Sequence, residues 1–184
     1  MSGKILAAAS FAAAVHATHR RKGSAAEPYI NHPLEVAQIL AEHDAPEAAI
    51  IAALLHDTVE DGDNNPEPVT LEALAARFGA EVAGIVAEVS DDKSLAKETR
   101  KALQISQAPK KSAAAKMVKL ADKISNLRAI VTAPPASWNH ARRVEYVGWT
   151  GRVAAGLRGV NSELEALFDR TYRNAMAELA RDGL

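Results

Sequence analysis

Along the chain, apolar residues return every three or four positions, the spacing of a single helix face, and no segment alternates apolar and polar as a half-buried strand would. This pattern predicts helices over 3–20, 33–43, 46–60, 70–78, 80–90, 94–106, 111–131, 137–157 and 161–181. Three carry start or stop chemistry. Thr70 can cap the helix holding Leu71, Leu74, Ala75 and Phe78, and Gly79 ends it. Ser137 after Pro134-Pro135 opens another, and Asn161 opens the last, with Leu164, Leu167, Phe168 and Thr171 on one face. The clearest loop is Gly62 to Pro68. The expectation is one all-α domain spanning 1–184, of about nine to ten helices, without repeats or an internal linker.

Composition sharpens this picture. Aromatic residues are 4% of the chain, while alanine and leucine dominate, as suits closely packed helices. A chain of 184 residues can bury about two-thirds of its unfolded surface. The formal net charge of -1 gives no global pull towards nucleic acid or an anionic membrane, so a polyanionic ligand needs a local basic cluster. There are no cysteines, which excludes disulfides and thiolate metal sites and fits a reducing cytoplasm. The alanine-rich start resembles the apolar block of a secretion signal. Its helical spacing (Ile5, Ala9, Ala12, Val15, His16, His19) and lack of a clean cleavage site favour a first helix instead.

The strongest chemical signal is Ile50-Ile-Ala-Ala-Leu-Leu-His-Asp-Thr-Val-Glu-Asp61. Its first part is apolar all round, as buried helices are. At about 100° per residue, His56, Asp57, Glu60 and Asp61 share an arc of roughly 140°. Burying these charges together would cost several kcal/mol each unless a divalent cation compensates them. Adjacent His-Asp pairs are common by chance, and a solvated acidic helix end is the plain alternative; the buried lead-in argues against it. A second element, Lys119 to Arg128, has a core stripe of Met117, Leu120, Ile124, Leu127 and Val131. Asp122 and Asn126 lie one turn apart on another face, as in a pocket wall. In the third, Arg20 to Pro33, His32 precedes Pro33, a favoured first helical residue. Alone, His32 reads more readily as a cap than as a ligand. Together His32, His56, Asp57 and Asp122 form a mixed nitrogen and oxygen set, which suits Mn²⁺, Fe²⁺ or Zn²⁺ better than Mg²⁺ or Ca²⁺. Glu60 and Asp61 remain available to orient water or carry its proton.

These segments resemble the hydrolase domain of the RelA/SpoT family, especially its single-domain small alarmone hydrolases, which include the metazoan SpoT homologue. The resemblance rests on Arg21-Lys22, Pro28-Tyr-Ile-Asn-His-Pro33, Leu54-Leu-His-Asp-Thr-Val-Glu-Asp61 and Val89-Ser-Asp-Asp-Lys93. It continues through Lys119-Leu-Ala-Asp-Lys123, Asn126-Leu-Arg128 and Glu145-Tyr146. It implies an HD-type helical bundle and Mn²⁺-dependent removal of the 3′-pyrophosphate from ppGpp or pppGpp. It also implies metal ligation by His32, His56, Asp57 and Asp122, and water activation by Glu60 and Asp61. Arg21 and Lys22 would pack on the guanine and Asn126 would bond near the base, while Lys97, Arg142 and Tyr146 would face phosphates. Arg and Lys suit those tasks chemically. The chain departs from the family at His19, where Gln is usual, and in the small flexible loop Gly23 to Pro28; both flank the expected base pocket.

Three competing readings remain open. One is a phosphatase for another nucleotide, such as the 2′-phosphate of NADPH. Another is a catalytically silent nucleotide sensor, against which the intact acidic set argues. The third is a helical scaffold, which leaves the buried acidic cluster unexplained. The expected partner is a small guanine nucleotide, not nucleic acid or a membrane, and the sequence sets no oligomeric state.

Overall fold

The structure, a computed structural model, describes residues 3–60 and 68–182. Nine α-helices run through the described residues: α1 Gly3–Val15, α2 Asn31–Ala41, α3 Glu47–Leu55, α4 Leu71–Phe78, α5 Ala80–Val89, α6 Lys97–Gln107, α7 Ala113–Thr132, α8 His140–Ala155 and α9 Ser162–Asp182. A 3₁₀ turn, Ala108–Lys110, joins α6 to α7, and the described residues include no β-strand, only two isolated bridges. The all-α expectation holds.

Two helices form the middle of the bundle. In α3, Ala49 and every residue from Ile51 to Leu55 are buried, so a segment apolar all round finds neighbours on all sides: α1, α2, α5 and α7. The long α7 packs on α2, α3, α5, α8 and α9, burying Met117, Leu120, Ile124 and Leu127 as its apolar stripe requires. Truncating a fully buried leucine such as Leu55 or Leu120 to alanine would cost about 2–5 kcal/mol. In α7 the burial also takes in Lys119, Asp122, Lys123 and Ser125, polar residues a structure tolerates only when they are paired.

Helix ends follow local hydrogen bonding. The Thr70 hydroxyl accepts from the Ala73 amide at 3.1 Å, Gly79 ends α4 at φ 98°, and the Asn161 side chain accepts from the Leu164 amide at 3.0 Å, as the sequence predicts. Elsewhere the boundaries differ. α8 starts three residues late because Asn139, not Ser137, provides the cap, accepting from the Arg142 amide at 2.9 Å. α6 starts at Lys97, since Ser94 is held in a turn by the Asp92 carboxylate. α1 stops at Val15. The chain then doubles back between His19 and Tyr29, where the Arg21 amide donates to Glu27 and the Tyr29 amide to His19. Most of the loop predicted at 62–68, and with it Asp61, lies outside the described residues.

Candidate metal centre and nucleotide pocket

α3 ends at Leu55, so the predicted helix through residue 60 is too long. Buried Thr58 turns its hydroxyl onto the Leu55 carbonyl (2.7 Å) and its amide onto the same oxygen (3.0 Å), drawing the backbone out of the helix. His56 and Asp57 therefore stand on a turn at the end of a rigid buried helix. From α2 comes His32, one residue into the helix and buried. From the middle of α7 comes Asp122, also buried.

The four side chains converge. His56 Nε2 lies 3.1 Å from Asp57 Oδ2 and 3.9 Å from Asp122 Oδ1; His32 Nε2 lies 3.8 Å and 3.3 Å from the same two oxygens. Donor atoms of His32, His56 and Asp57 all fall within 4.8 Å of one another. Asp122 closes the ring from the opposite helix.

Surrounding groups decide which ring nitrogen faces inward. His56 Nδ1 donates to the Ala53 carbonyl at 2.7 Å, leaving Nε2 for the centre; that buried atom has no aligned hydrogen-bond acceptor. The Ser125 hydroxyl donates its single proton to Glu35 at 2.7 Å, so it must accept from His32 Nδ1 at 2.9 Å. Both imidazoles thus present Nε2, the arrangement of metal-binding histidines. Tyr29 donates its hydroxyl to Asp57 Oδ2 at 2.6 Å, and Asp122 accepts from Asn126 at 2.6 Å and from Lys123 at 3.2 Å.

The electrostatics are those of a largely buried, charged centre. Burial would depress the His56 imidazole, but the Asp57 carboxylate, with Asp122 behind it, overrides this and lifts it to about 9. Burial would raise Asp57 and Asp122. Instead His56 and His32 hold Asp57 well below the usual carboxylate range, and Lys123, His32 and Lys119 do the same for Asp122. The proton on His56 occupies a place that a divalent cation fills better, being attracted to both carboxylates at once. The donor set fits such an ion.

Glu60 stands apart from this cluster. Its Oε1 accepts the Asp91 amide at 2.7 Å, and burial, reinforced by Asp57 and Asp91 against the pull of that amide and Lys119, pushes it up to about 7.

Beside the centre opens a cavity of about 400 Å³. Arg21, Lys22, Asn126 and Tyr146 line it, together with His32 itself. Arg21 reaches Asn126 Oδ1 at 3.4 Å and lies 5.9 Å from the centre of the Tyr29 ring, giving the pocket a flat cationic wall. The segment before Tyr29 continues the lining through Gly23, Ala25, Ala26 and Glu27, tied down where Gly23 bridges Pro135. A Cβ on Gly23 would sit 2.5 Å from the Ala133 oxygen, so only glycine permits this approach. Lys97 and Arg142 are not among the lining residues: Lys97 is exposed at the start of α6, and Arg142 lies over Trp138 at 4.6 Å. Sequence reasoning assigned no role to Tyr29, Glu35, Ser125 or Trp138. Ser125 carried a signal, since it lies on the same helix as Asp122 and three residues after it; Trp138 carried none.

The HD domain family model matches residues 8–147, three-quarters of the chain, and the matched span holds both histidines and both aspartates. The chain belongs to the HD-domain family. Within that family it is 46% identical over 175 residues to the human protein named guanosine-3′,5′-bis(diphosphate) 3′-pyrophosphohydrolase MESH1, covering 94% of each chain. The Drosophila melanogaster protein of the same name is 42% identical, again covering 94% of each. A solved structure reported as a metazoan orthologue of SpoT that hydrolyses ppGpp superposes with a TM-score of 0.88 at 41% identity, covering 95% of this chain and 96% of that one. A Listeria monocytogenes crystal structure superposes with a TM-score of 0.66 at 31% identity, covering 81% and 99%. This HD domain is thus similar in fold and length to those proteins. Among its described residues no helix is long and apolar enough to cross a membrane.

Proposed function

We propose that this HD-domain protein is a guanosine-3′,5′-bis(diphosphate) 3′-diphosphatase, releasing pyrophosphate and GDP or GTP from ppGpp or pppGpp. The observation that carries the proposal is the convergence of two inward-facing Nε2 atoms and two carboxylates at the edge of a cationic pocket of about 400 Å³. The likeness to full-length relatives named for that reaction supports it.

In this reading His32, His56, Asp57 and Asp122 hold the metal, with Mn²⁺ the first choice and Fe²⁺ or Zn²⁺ also suited to the set. When bound, a divalent ion supplies a Lewis acid that neutralises phosphate charge and makes water a better nucleophile near neutral pH. Ser125 with Glu35 and the Ala53 carbonyl keep the two imidazoles turned inward, and Tyr29 fixes Asp57. Arg21 covers one face of the guanine, and Asn126, anchored on Asp122, meets its edge. Lys22, beside Arg21 in the pocket lining, packs on the guanine as well, and Tyr146 faces the phosphates from the pocket wall. Water adds to the phosphorus attached to O3′ as the O3′–P bond breaks. Glu60, poised near neutrality, takes the proton that water gives up, and the departing O3′ recovers a proton to leave as the nucleotide's 3′-hydroxyl, from the protonated carboxyl or from solvent. Asp61 shares this proton traffic by resemblance alone, as does the assignment of Lys97 and Arg142 to phosphate.

Purified protein stripped of metal should be inactive, and Mn²⁺ should restore turnover of ppGpp to GDP and pyrophosphate. His56→Ala should abolish both metal uptake and turnover. A panel of pppGpp, NADPH and cyclic nucleotides sets the preference. Turnover of NADPH alone, or full activity in a metal-free sample, would overturn the proposal.

A further inference from the structure

Glu60 follows the end of α3 on a turn, so no helix fixes the direction of its side chain. One oxygen is held by a backbone N–H, that of Asp91, just beyond the C-terminus of α5, and the Lys93 ammonium lies 3.8 Å from the other. Helix C-termini leave carbonyls without intrahelical partners, and here two lysines supply them. Lys111 donates to the Glu88 carbonyl, and Lys119 donates to the Val89 carbonyl at 3.0 Å. Cations at that end also complement the helix dipole. One more contact reaches past the helix end to Asp91 itself. The side-chain amide of Gln104, on α6, donates to Asp91 Oδ2 at 2.7 Å.

We propose that Gln104 is a positioning residue for hydrolysis: by gripping the Asp91 carboxylate it fixes the peptide N–H that aims Glu60. This rests on the hydrolase reading of the site. Gln104 lies on a different helix from every metal ligand and does not line the nucleotide pocket, so its effect should appear in turnover and not in binding. Its amide orientation is set by chemistry, because only the NH₂ group can face a carboxylate.

The test exploits that polarity. Gln104→Glu places two carboxylates together and breaks the grip. Adding Asp91→Asn restores an amide–carboxylate hydrogen bond in the reverse direction, with the Asp91 position's backbone N–H retained throughout. A hydrogen bond to a charged group contributes about a 10- to 150-fold effect, of which only part passes through the peptide to Glu60. Gln104→Glu should therefore lower kcat on ppGpp about 3- to 10-fold or more, with KM and metal content within twofold of wild type. The double variant should recover most of the loss. Amide hydrogen exchange at position 91, followed by NMR, reads the grip without activity: it should quicken in Gln104→Glu and slow again in the double variant.

Unchanged kcat and unchanged exchange in Gln104→Glu would overturn the inference, as would a loss of kcat that the double variant fails to restore. If wild-type protein does not turn over ppGpp, the hydrolase reading falls, and the exchange measurement still decides whether Gln104 holds the turn.

Discussion

Replacing Glu60 by glutamine should weaken catalysis and strengthen the fold at the same time. The carboxyl is only 16% exposed, and its pKa is raised from 4.5 to about 7, chiefly by burial. A group whose folded pKa lies above its unfolded value favours the folded state when protonated. The associated stability is complete below pH 4.5, fades as pH rises towards 7, and is absent above that. At about 1.4 kcal/mol per pH unit the full effect is about 3.5 kcal/mol, and residual solvent contact trims it to about 1–3 kcal/mol. Glutamine keeps an oxygen for the Asp91 amide and carries no charge. Metal-free Glu60→Gln should therefore melt about 3–10 °C above metal-free wild type at pH 8, and close to it at pH 4.5. Scanning calorimetry of chelator-treated proteins across that range measures both curves. The same variant should lose about 10²-fold or more in kcat, because it cannot accept a proton. In wild type, kcat should rise with pH along a limb set by this carboxyl, at or below about 7 once a cation lies nearby. Parallel melting curves for wild type and variant would refute the argument, since they would mean that the carboxylate pays no burial penalty.

Ser125→Ala removes the acceptor for His32 Nδ1 and should weaken Mn²⁺ affinity about 10- to 100-fold, measured by calorimetric titration, while excess metal restores kcat. Gly23→Ala drives a methyl group into the Ala133 carbonyl and should raise KM without altering metal content, read from steady-state kinetics with metal analysis. Arg21→Ala should reduce kcat/KM about 5- to 150-fold, mainly through KM, as loss of stacking worth about 1–3 kcal/mol requires. Wild-type kinetics for Arg21→Ala would mean that the guanidinium is merely solvated.

Helix existence was legible because periodicity reports burial, and α3 and α7 are the segments whose apolar patterns were fullest. Helix ends were less so. Thr58 and Asp92 override the pattern through local side-chain hydrogen bonds, which depend on rotamers and not on hydropathy. The polar positions of the centre were recognisable one by one, and spacing placed Asp122 and Asn126 on one face, where they are hydrogen-bonded. The contact of Tyr29 with Asp57 spans 28 positions and that of Ser125 with His32 spans 93, so no local reading could supply them. The same limit explains Lys97 and Arg142. A positive charge reads the same from the sequence whether it points into a cavity or lies across a tryptophan.

The bridge between Gly23 and Pro135 and the meeting of His32 with Asp122 join segments 112 and 90 positions apart in the chain. During synthesis the N-terminal wall and the first histidine leave the ribosome long before the helix that completes them. A nascent chain that ends before α7 lacks Asp122 and the Asn126 side of the pocket, so on the proposed function it should neither trap nucleotide nor cleave it. Contacts so distant in sequence form late. Activity should consequently switch on in a single step as α7 and the segment after it become available, with no partly active fragment along the way.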